Sequence, residues 1–183
     1  MKILTGQYRG LPISFTPNRL LRPTTDKARK AIFDMFQGVL PDKVVLDLFS
    51  GTGALGFEAL SQGASRVVFV EEDRAQCKKI KENLERWKLE TSSEVHQDEA
   101  LHWLAKNLEQ AGAFDLIFLD PPYASGLALK ALEMIAGSEV LQKGGFVVLE
   151  CRKKDKIPLS CGRLQAVRDK KYGQTKVLVY QMS

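Results

Sequence analysis

The sequence predicts an α/β protein with a Rossmann-like, doubly wound sheet that is mostly parallel. Three observations indicate this class. Apolar runs of strand length alternate with amphipathic helical segments from residue 44 onward, a glycine-rich turn follows the first run, and acidic residues follow three of the runs. Such alternation is typical of parallel strands joined by right-handed crossovers. The predicted strands are 44–49, 66–71, 93–97, 114–120 and 145–150, and the helices between them are 54–62, 73–88, 98–110 and 126–137.

Two further segments flank this alternation. Apolar residues alternate loosely over 3–16 and predict a small β-hairpin that turns near Arg9–Gly10. A helix is predicted after it, capped by Thr24 or Thr25 and ending near 38–41. At the other end of the chain, two short apolar runs flank Tyr172–Gly173, which predicts a C-terminal hairpin rather than another crossover.

Length and composition indicate one main domain, residues 41–183, with a small extension, residues 1–40. The three cysteines are widely spaced and form no Cys-x-x-Cys pair, so neither a disulfide framework nor a metal site is predicted. The N-terminus lacks the apolar core of a signal peptide, and no apolar run is long enough to span a bilayer. A cytoplasmic protein is therefore expected.

A nucleoside-binding turn is predicted after the first strand of the main domain. Residues 44–49 lead into Gly51, Gly53 and Gly56, which form a G-x-G-x-x-G pattern with a strand before it and a helix after it. Glycines allow a tight turn and a close approach of the backbone to a ligand. The next strand ends at Glu71, a carboxylate suited to binding ribose hydroxyls.

Two acidic positions favour S-adenosylmethionine over NAD, although NAD also fits the glycines and Glu71. Asp47 lies inside the first strand, where a carboxylate costs desolvation energy unless it meets a donor or a cation. An ammonium or sulfonium group would satisfy it better than a pyrophosphate. Asp98, followed by Glu99, adds a third acidic point after the third strand. Asp98 could accept a hydrogen bond from an adenine amino group, cap the following helix, or do both.

The sequence Asp120-Pro121-Pro122-Tyr123 follows the apolar strand 114–119. Each proline fixes its own φ and restricts the residue before it, so this strand end is stiff. Asp120 and the Pro121 carbonyl can accept hydrogen bonds, and Tyr123 offers a ring for stacking. A planar substrate with an amino group suits this arrangement. A simple turn would have the same sequence, and the cofactor motif upstream decides in favour of a site.

These motifs together resemble a known class of enzymes. Asp47 to Gly56, Glu71, Asp98, and Asp120 to Tyr123, in this order, resemble the class I S-adenosylmethionine-dependent methyltransferases that act on exocyclic amino groups. The further stretches 5–10, 21–29, 47–64 and 114–123 resemble the RsmD family, the bacterial 16S rRNA guanine-N2 methyltransferases. The resemblance implies a seven-stranded sheet whose last strand is antiparallel.

The resemblance also implies the roles of individual residues. The implied cofactor-binding residues are Arg22, Thr24, Asp47, Phe49, Ser50, Gly51, Gly53, Glu71, Asp98 and Glu99. The implied catalytic residues, which would hold the flipped base, are Asp120, Pro121, Pro122 and Tyr123. The N-terminal segment would form a basic lip that contacts RNA through Tyr8, Arg9, Arg19 and Arg22. The expected partner is 16S rRNA in a partly assembled small ribosomal subunit, and the protein is expected to be a monomer.

Two alternative functions stay open. A DNA adenine-N6 or cytosine-N4 methyltransferase would use the same Asp-Pro-Pro-Tyr motif, although reading a duplex needs additional recognition surface. An NAD-dependent oxidoreductase would use the same glycine turn. The net charge of +5, from 27 Lys and Arg against 22 Asp and Glu, is compatible with a polyanionic partner.

Overall fold

The computed structural model describes residues 1–17, 25–110, 112–122 and 126–183. Within these residues one mixed sheet has helices on both faces. The helices are α1 (Asp26–Met35), α2 (Ala54–Ser61), α3 (Arg74–Trp87), α4 (Ala100–Asn107) and α5 (Leu127–Ala136), with a 3-10 turn at Glu90–Ser92. The strands are β1 (Val44–Asp47), β2 (Arg66–Glu71), β3 (Ser93–Gln97), β4 (Phe114–Leu119), β5 (Leu141–Arg152), β6 (Ser160–Cys161), β7 (Leu164–Tyr172) and β8 (Thr175–Met182).

The strand order across the sheet is β3-β2-β1-β4-β5-β8-β7-β6. Strands β1 to β5 are parallel, β8 is antiparallel to β5, and β7 pairs with β8 as a hairpin. The parallel Rossmann-like sheet with an antiparallel last strand is thus confirmed. The two-residue strand β6 adds an eighth member at the edge. The C-terminal hairpin is longer than its apolar runs predicted. Most of β7 is exposed and polar, so an apolar run marks only part of this strand in the sequence.

Two apolar layers cover the sheet. One layer joins α1, α2 and α3 to one face through residues such as Phe33, Phe57 and Phe118. The other joins α4 and α5 to the opposite face, with Trp103 and Leu132 among its members. Neighbouring residues of a strand point to opposite layers, as the pleat requires. Because β1 to β5 are parallel, their carboxyl ends meet at one edge of the sheet, which we call the upper edge.

The N-terminal segment forms a short antiparallel pair with a wide loop. Ile3 N donates to the Leu11 carbonyl at 3.0 Å, and the single bridge joins Lys2 to Pro12. The chain turns at residues 7–10, where Leu11 N donates to the Tyr8 carbonyl at 3.2 Å across Arg9 and Gly10, as predicted. Before this turn the backbone N–H of Leu4 donates to Glu58 at 2.6 Å. Glu58 lies on α2, so this loop packs onto α2.

A buried ion pair fixes α1 against α2. Arg29 and Glu58 are both fully buried, with 3.5 Å between Arg29 Nε and Glu58 Oε1. Arg29 also donates to the Lys2 carbonyl at 2.8 Å and to Asp26 at 3.0 Å. Burial raises the pKa of Glu58 and lowers that of Arg29. Removing one member of such a pair typically costs about 3–5 kcal/mol, so the pair holds α1 against α2.

The helix ends follow local capping chemistry. Thr25 caps α1 by accepting the Ala28 N–H at 3.2 Å, as one of the two predicted alternatives requires. Helix α1 ends at Met35, three residues before the predicted end, and Gly38 closes the following turn at φ +75°. Among the described residues, none of the helices is both long and apolar enough to cross a membrane.

Candidate active site

The glycine turn between β1 and α2 is fixed to the end of β2. Gly51 and Gly53 have φ values of +52° and +77°, a region that favours glycine. Ser50 N donates to the Val70 carbonyl at 3.0 Å, and Gly53 N donates to the Ser50 carbonyl at 2.7 Å. Gly51 N donates to Glu71 at 2.7 Å. These bonds hold the turn against the end of β2 without help from a ligand.

Two other residues of this motif have structural roles that are visible in their contacts. A Cβ on Gly56 would lie 2.2 Å from a ring carbon of Phe69, so this glycine allows α2 to pack on β2. The Ser50 hydroxyl donates to the Asp47 carbonyl at 2.7 Å and closes the turn from inside. Phe49, predicted to bind the cofactor, packs its partly buried side chain against the layer formed by α4 and α5.

Asp47 is a buried carboxylate at the end of β1, with 1% of its surface exposed. Its Oδ2 accepts the Gly56 N–H at 3.0 Å. Burial raises its pKa to about 7, the negative charge of Glu71 adds to the rise, and the Gly56 bond opposes it. Among the described residues no cation pairs with Asp47. A cationic ligand at this position would supply the missing partner.

Glu71 lies at the end of β2, beside Asp47. Its two oxygens accept the N–H groups of Gly51 and Asp73 at 2.7 and 2.8 Å. Burial raises the pKa of Glu71. Each carboxylate oxygen can accept a second hydrogen bond, so Glu71 can hold the glycine turn and still accept two hydroxyl groups from a ribose.

Asp98 and Glu99 follow β3, and the predicted alternative in which Asp98 caps the next helix is wrong. Glu99, not Asp98, caps α4 by accepting the N–H groups of Leu101 and His102 at 3.1 and 2.8 Å. Asp98 instead accepts the Glu99 N–H at 2.9 Å and pairs with His102 at 2.7 Å. The His102 bond lowers the pKa of Asp98. Asp98 is thus an ionised carboxylate at the upper edge, next to the end of β2.

Asp120 follows β4, the neighbour of β1 in the sheet. Asp47 pairs with Phe118, and Leu48 N donates to the Phe118 carbonyl at 3.1 Å. Asp120 lies two residues further along, which puts it about 8 Å from Asp47 by strand spacing and rise. Pro121 is buried and Pro122 is exposed. The two strand ends that bear the cofactor and substrate motifs are therefore neighbours at one edge.

Other predicted site residues are placed elsewhere or lie outside the described residues. Tyr8 N donates to the Ser61 hydroxyl at 3.0 Å, so Tyr8 and Arg9 lie beside the C-terminal end of α2. That end is about 12 Å from the glycine turn by helix length. Four predicted site residues fall outside the part of the chain that the structure describes: Arg19, Arg22, Thr24 and Tyr123.

Two buried amides on α3 position the N-terminal segment, and sequence reasoning missed them. Asn83 accepts the Ser14 N–H at 3.1 Å and donates to the Ser14 carbonyl at 2.8 Å. Gln76 makes the same pair of bonds to Thr16, at 3.2 and 2.5 Å. Both amides are buried. The sequence does contain an indication of these contacts, because two polar residues seven positions apart interrupt the apolar face of α3. The segment therefore runs along α3 toward Glu71.

This fold and site define a class of protein. A parallel sheet ending in an antiparallel hairpin, a glycine turn after β1 and an Asp-Pro-Pro sequence after β4 together define a Rossmann-like methyltransferase. The chain belongs to the family described as Conserved hypothetical protein 95, whose model matches residues 1–181. The resemblance to the RsmD family is thereby confirmed.

Similar proteins agree over the full length. The chain is 33% identical to the "Putative rRNA methyltransferase YlbH" of Bacillus subtilis, covering 99% of this chain and 98% of that protein. It is 31% identical to the "Ribosomal RNA small subunit methyltransferase D" of Escherichia coli, covering 99% and 89%. A solved structure, the "Putative methyltransferase yhhF" of Escherichia coli, superposes with a TM-score of 0.85 at 30% identity, covering 100% and 98%.

Proposed function

We propose that this protein transfers the methyl group of S-adenosylmethionine to the exocyclic N2 amine of a guanine in 16S ribosomal RNA. The observation that supports this most is the position of Asp47 and Asp120 at the ends of two adjacent strands. One is a buried carboxylate suited to a cation, and the other begins a rigid acceptor pair suited to an amine. The relatives named as small-subunit ribosomal RNA methyltransferases supply the RNA class.

The residues present fit S-adenosylmethionine. Asp47 would hold its cationic methionine part, the turn with Gly51 and Gly53 would pass close to it, and Glu71 would accept its ribose hydroxyls. Asp98 would accept the adenine amino group. When bound, this cofactor supplies a methyl group on a positively charged sulfur, which is already a good electrophile. The protein therefore needs to supply alignment and electrostatics more than chemical activation.

Asp120 and Pro121 would orient the amine. The lone pair of a guanine N2 amine is delocalised into the ring, so the amine is a weak nucleophile. The Asp120 carboxylate and the Pro121 carbonyl would accept its two N–H bonds and so turn the lone pair toward the methyl group. The Asp120 charge also stabilises the positive charge that develops on the nitrogen, and this charge is removed when one N–H proton leaves to Asp120 or to water. Tyr123 would stack on the base, which is worth about 1–3 kcal/mol in single-strand complexes.

The substrate is proposed to be a partly assembled small ribosomal subunit, with the protein acting as a monomer in the cytoplasm. A base within folded RNA must be exposed and extruded before it can react in a pocket. An assembling particle offers a defined local structure in which one guanine can be selected. A DNA methyltransferase stays the second candidate only because the Asp-Pro-Pro sequence suits any exocyclic amine.

The test is transfer of a labelled methyl group to three substrates: 16S rRNA, small-subunit particles and duplex DNA. Nucleoside analysis after digestion identifies the product. The expected result is N2-methylguanosine from RNA or particles and no label in DNA. Label recovered only as N6-methyladenine or N4-methylcytosine from DNA would overturn the proposal. Stabilisation by NAD and not by S-adenosylmethionine in a melting experiment would favour the oxidoreductase.

A further inference from the structure

Positive charge is concentrated in two segments of this chain: residues 1–30, with seven Lys and Arg against one Asp, and residues 152–176. Residues 152–176 contain nine Lys and Arg against two Asp, a net charge of +7. The whole chain has 27 Lys and Arg against 22 Asp and Glu, a net charge of +5. The residues outside 152–176 therefore have 18 basic against 20 acidic side chains and a net charge of −2. This second segment comprises the end of β5, the loop after it, β6, β7 and the start of β8.

This segment reaches the upper edge of the sheet, where Asp120 lies. Strand β5 is parallel to β4 and ends at Arg152, and the loop after it contains Lys153, Lys154 and Lys156. On β7, Lys170 pairs with Val177 of β8, which pairs with Glu150 of β5. Leu149 pairs with Leu119, so Glu150 and Lys170 are level with Asp120. Three strand spacings put β7 about 14 Å from β4.

The cations of this segment are available to a partner. Lys153, Lys154, Lys156, Arg168, Lys170 and Lys171 are all exposed. Within the described part of the chain, none of these six forms an ion pair, whereas Arg152 pairs with Asp155 at 3.2 Å. We call these six residues the basic surface. Arg168 and Lys170 pair with Val179 and Val177, so they point to the face of the sheet that packs on α1.

Protection of an exposed strand edge does not account for the basic surface. Lysines on edge strands do prevent unwanted pairing, and β6 covers only the first two residues of β7. That explanation would apply to Arg168, Lys170 and Lys171. It gives no reason for the lysines in the loop after β5, which belong to no strand, or for their position at the edge that Asp120 shares.

We propose that the basic surface binds the phosphodiester backbone of the RNA substrate next to the target base. This rests on the proposed function for the identity of the polyanion. The half of the same edge formed by β1, β2 and β3 is less favourable for phosphate, because β2 and β3 are followed or ended by carboxylates such as Glu71 and Asp98. RNA therefore approaches Asp120 from the side of β5, β8 and β7. The lysines act as exposed point charges, so they fix position and affinity without reading sequence.

The test compares two triple variants that remove the same charge. The first is Lys153→Gln, Lys154→Gln and Lys170→Gln. The control is Lys81→Gln, Lys130→Gln and Lys143→Gln, three exposed lysines on α3, on α5 and in the bend of β5 at its far end. Fluorescence anisotropy with a labelled 16S rRNA fragment gives the affinity at several salt concentrations. Transfer of labelled methyl to the same fragment gives kcat and KM for RNA.

For the first variant we expect RNA affinity to fall by roughly 10–50-fold near physiological salt, and the slope of log affinity against log salt to shrink by about 2. We expect KM for RNA to rise with kcat and S-adenosylmethionine affinity unchanged. The control should change RNA affinity less than threefold. Equal losses in both variants, or an unchanged salt slope in the first, would overturn the proposal.

The outcome separates this proposal from the proposed function. Suppose that the wild type methylates the fragment and that the first variant has the same RNA affinity and the same salt dependence of that affinity. The proposed function is then supported, and the basic surface does not bind RNA. If the wild type binds the fragment through these lysines but transfers no methyl group, RNA binding by the basic surface is supported and the proposed reaction is wrong. Melting temperatures of both variants report whether either substitution set disturbs the fold.

Discussion

The upper edge of the sheet has two halves that differ in charge and in hydrogen bonding. The half formed by β1, β2 and β3 ends in carboxylates whose oxygens accept backbone N–H groups, as Glu71 does from Gly51 and Asp73. The half formed by β5, β8 and β7 ends in exposed lysines that have no ion pair among the described residues. Asp120 lies between the halves.

This difference separates two kinds of recognition. A small ligand in the acidic half meets groups that are already fixed, so its affinity depends on single hydrogen bonds and on protonation. A polyanion on the basic half meets exposed point charges, so its affinity is spread over several residues and depends on salt. Substitutions should therefore change affinity sharply and with pH in one half, and gradually and with salt in the other.

The largest effect is expected between the halves, at Asp120. Asp120→Asn keeps the size of the side chain but removes the charge and one of the acceptors for the amine. Turnover should fall by roughly 100-fold or more, the usual scale for one positioned electrostatic group. The dissociation constant for S-adenosylmethionine should change less than twofold in a calorimetric titration.

The control for this change is Asp42→Asn, an exposed turn residue at φ +65° on the opposite edge, where asparagine is well tolerated. It should methylate RNA at the wild-type rate. Wild-type turnover in the Asp120→Asn protein would show that Asp120 has no role in methyl transfer.

The next largest effect is expected in the acidic half, at Asp47. Because its pKa is about 7 in the free protein, a bound cation should lower that pKa and displace a proton. Affinity for S-adenosylmethionine should therefore be constant above about pH 8 and fall by up to tenfold per pH unit below about 7. Calorimetry at several pH values measures this.

Asp47→Asn should bind the cofactor at least 10-fold more weakly, with no pH dependence between about 6 and 8. Its amide oxygen can still accept the Gly56 N–H, so the turn should persist. If wild type and variant had the same pH profile, Asp47 would not be the group that meets the cation.

Asp47 should also set the pH dependence of stability in the free protein. Its folded pKa, about 7, lies above the ordinary value of 3.8, so the folded state binds the extra proton between those values. Stability of the wild type should therefore decrease as pH rises from about 4 to about 7, relative to Asp47→Asn. Urea denaturation of the two proteins at pH 5 and pH 8, without cofactor, gives the difference. A wild type that gains stability relative to Asp47→Asn between pH 5 and pH 8 would contradict this expectation.

A smaller effect on stability is expected from the amides that hold the N-terminal segment. Asn83→Ala leaves the Ser14 N–H and carbonyl without their partner, which should reduce the free energy of unfolding by about 1–3 kcal/mol. Urea denaturation measures the loss. Gln174→Ala, an exposed position in the hairpin turn, is the control and should change stability by less than about 0.5 kcal/mol. Equal stability of Asn83→Ala and wild type would mean that solvent replaces these bonds.

The smallest effect is expected from single charges on the basic half. Lys170→Gln should weaken RNA binding by roughly three- to fourfold and reduce the salt slope by about 0.7. Arg9→Gln, on the predicted N-terminal lip near the far end of α2, should have the smaller effect of the two in anisotropy measurements. A larger loss for Arg9→Gln would move the main RNA contact to the lip.

Local patterns in the sequence were sufficient to predict the architecture and the acidic half. Alternating apolar runs and amphipathic helices fix the sheet, and Gly51, Gly53 and Glu71 are recognisable because their spacing follows the strand-turn-helix geometry. Asp47 and Asp120 are neighbours because β1 and β4 pair, as the doubly wound order requires.

The remaining features depend on contacts between distant residues. Glu58 accepts the backbone N–H groups of Leu4 and Thr5, more than 50 residues away, so the loop before the predicted turn lies on α2. Asn83 and Ser14 are 69 residues apart. Asp98 and Glu99 are both acceptable caps, and only the geometry of α4 selects Glu99. Strand β7 is polar and exposed, so its length follows from pairing with β8 and not from its own pattern.

The most direct test of the shared edge is a crystal structure with S-adenosylhomocysteine and a guanine-containing RNA fragment. The account predicts that the sulfur lies between the ends of β1 and β4, with the guanine amine on Asp120 and the adjoining phosphates on the basic surface. A ligand and a base bound in separate cavities, with Asp47 and Asp120 contacting neither, would contradict it.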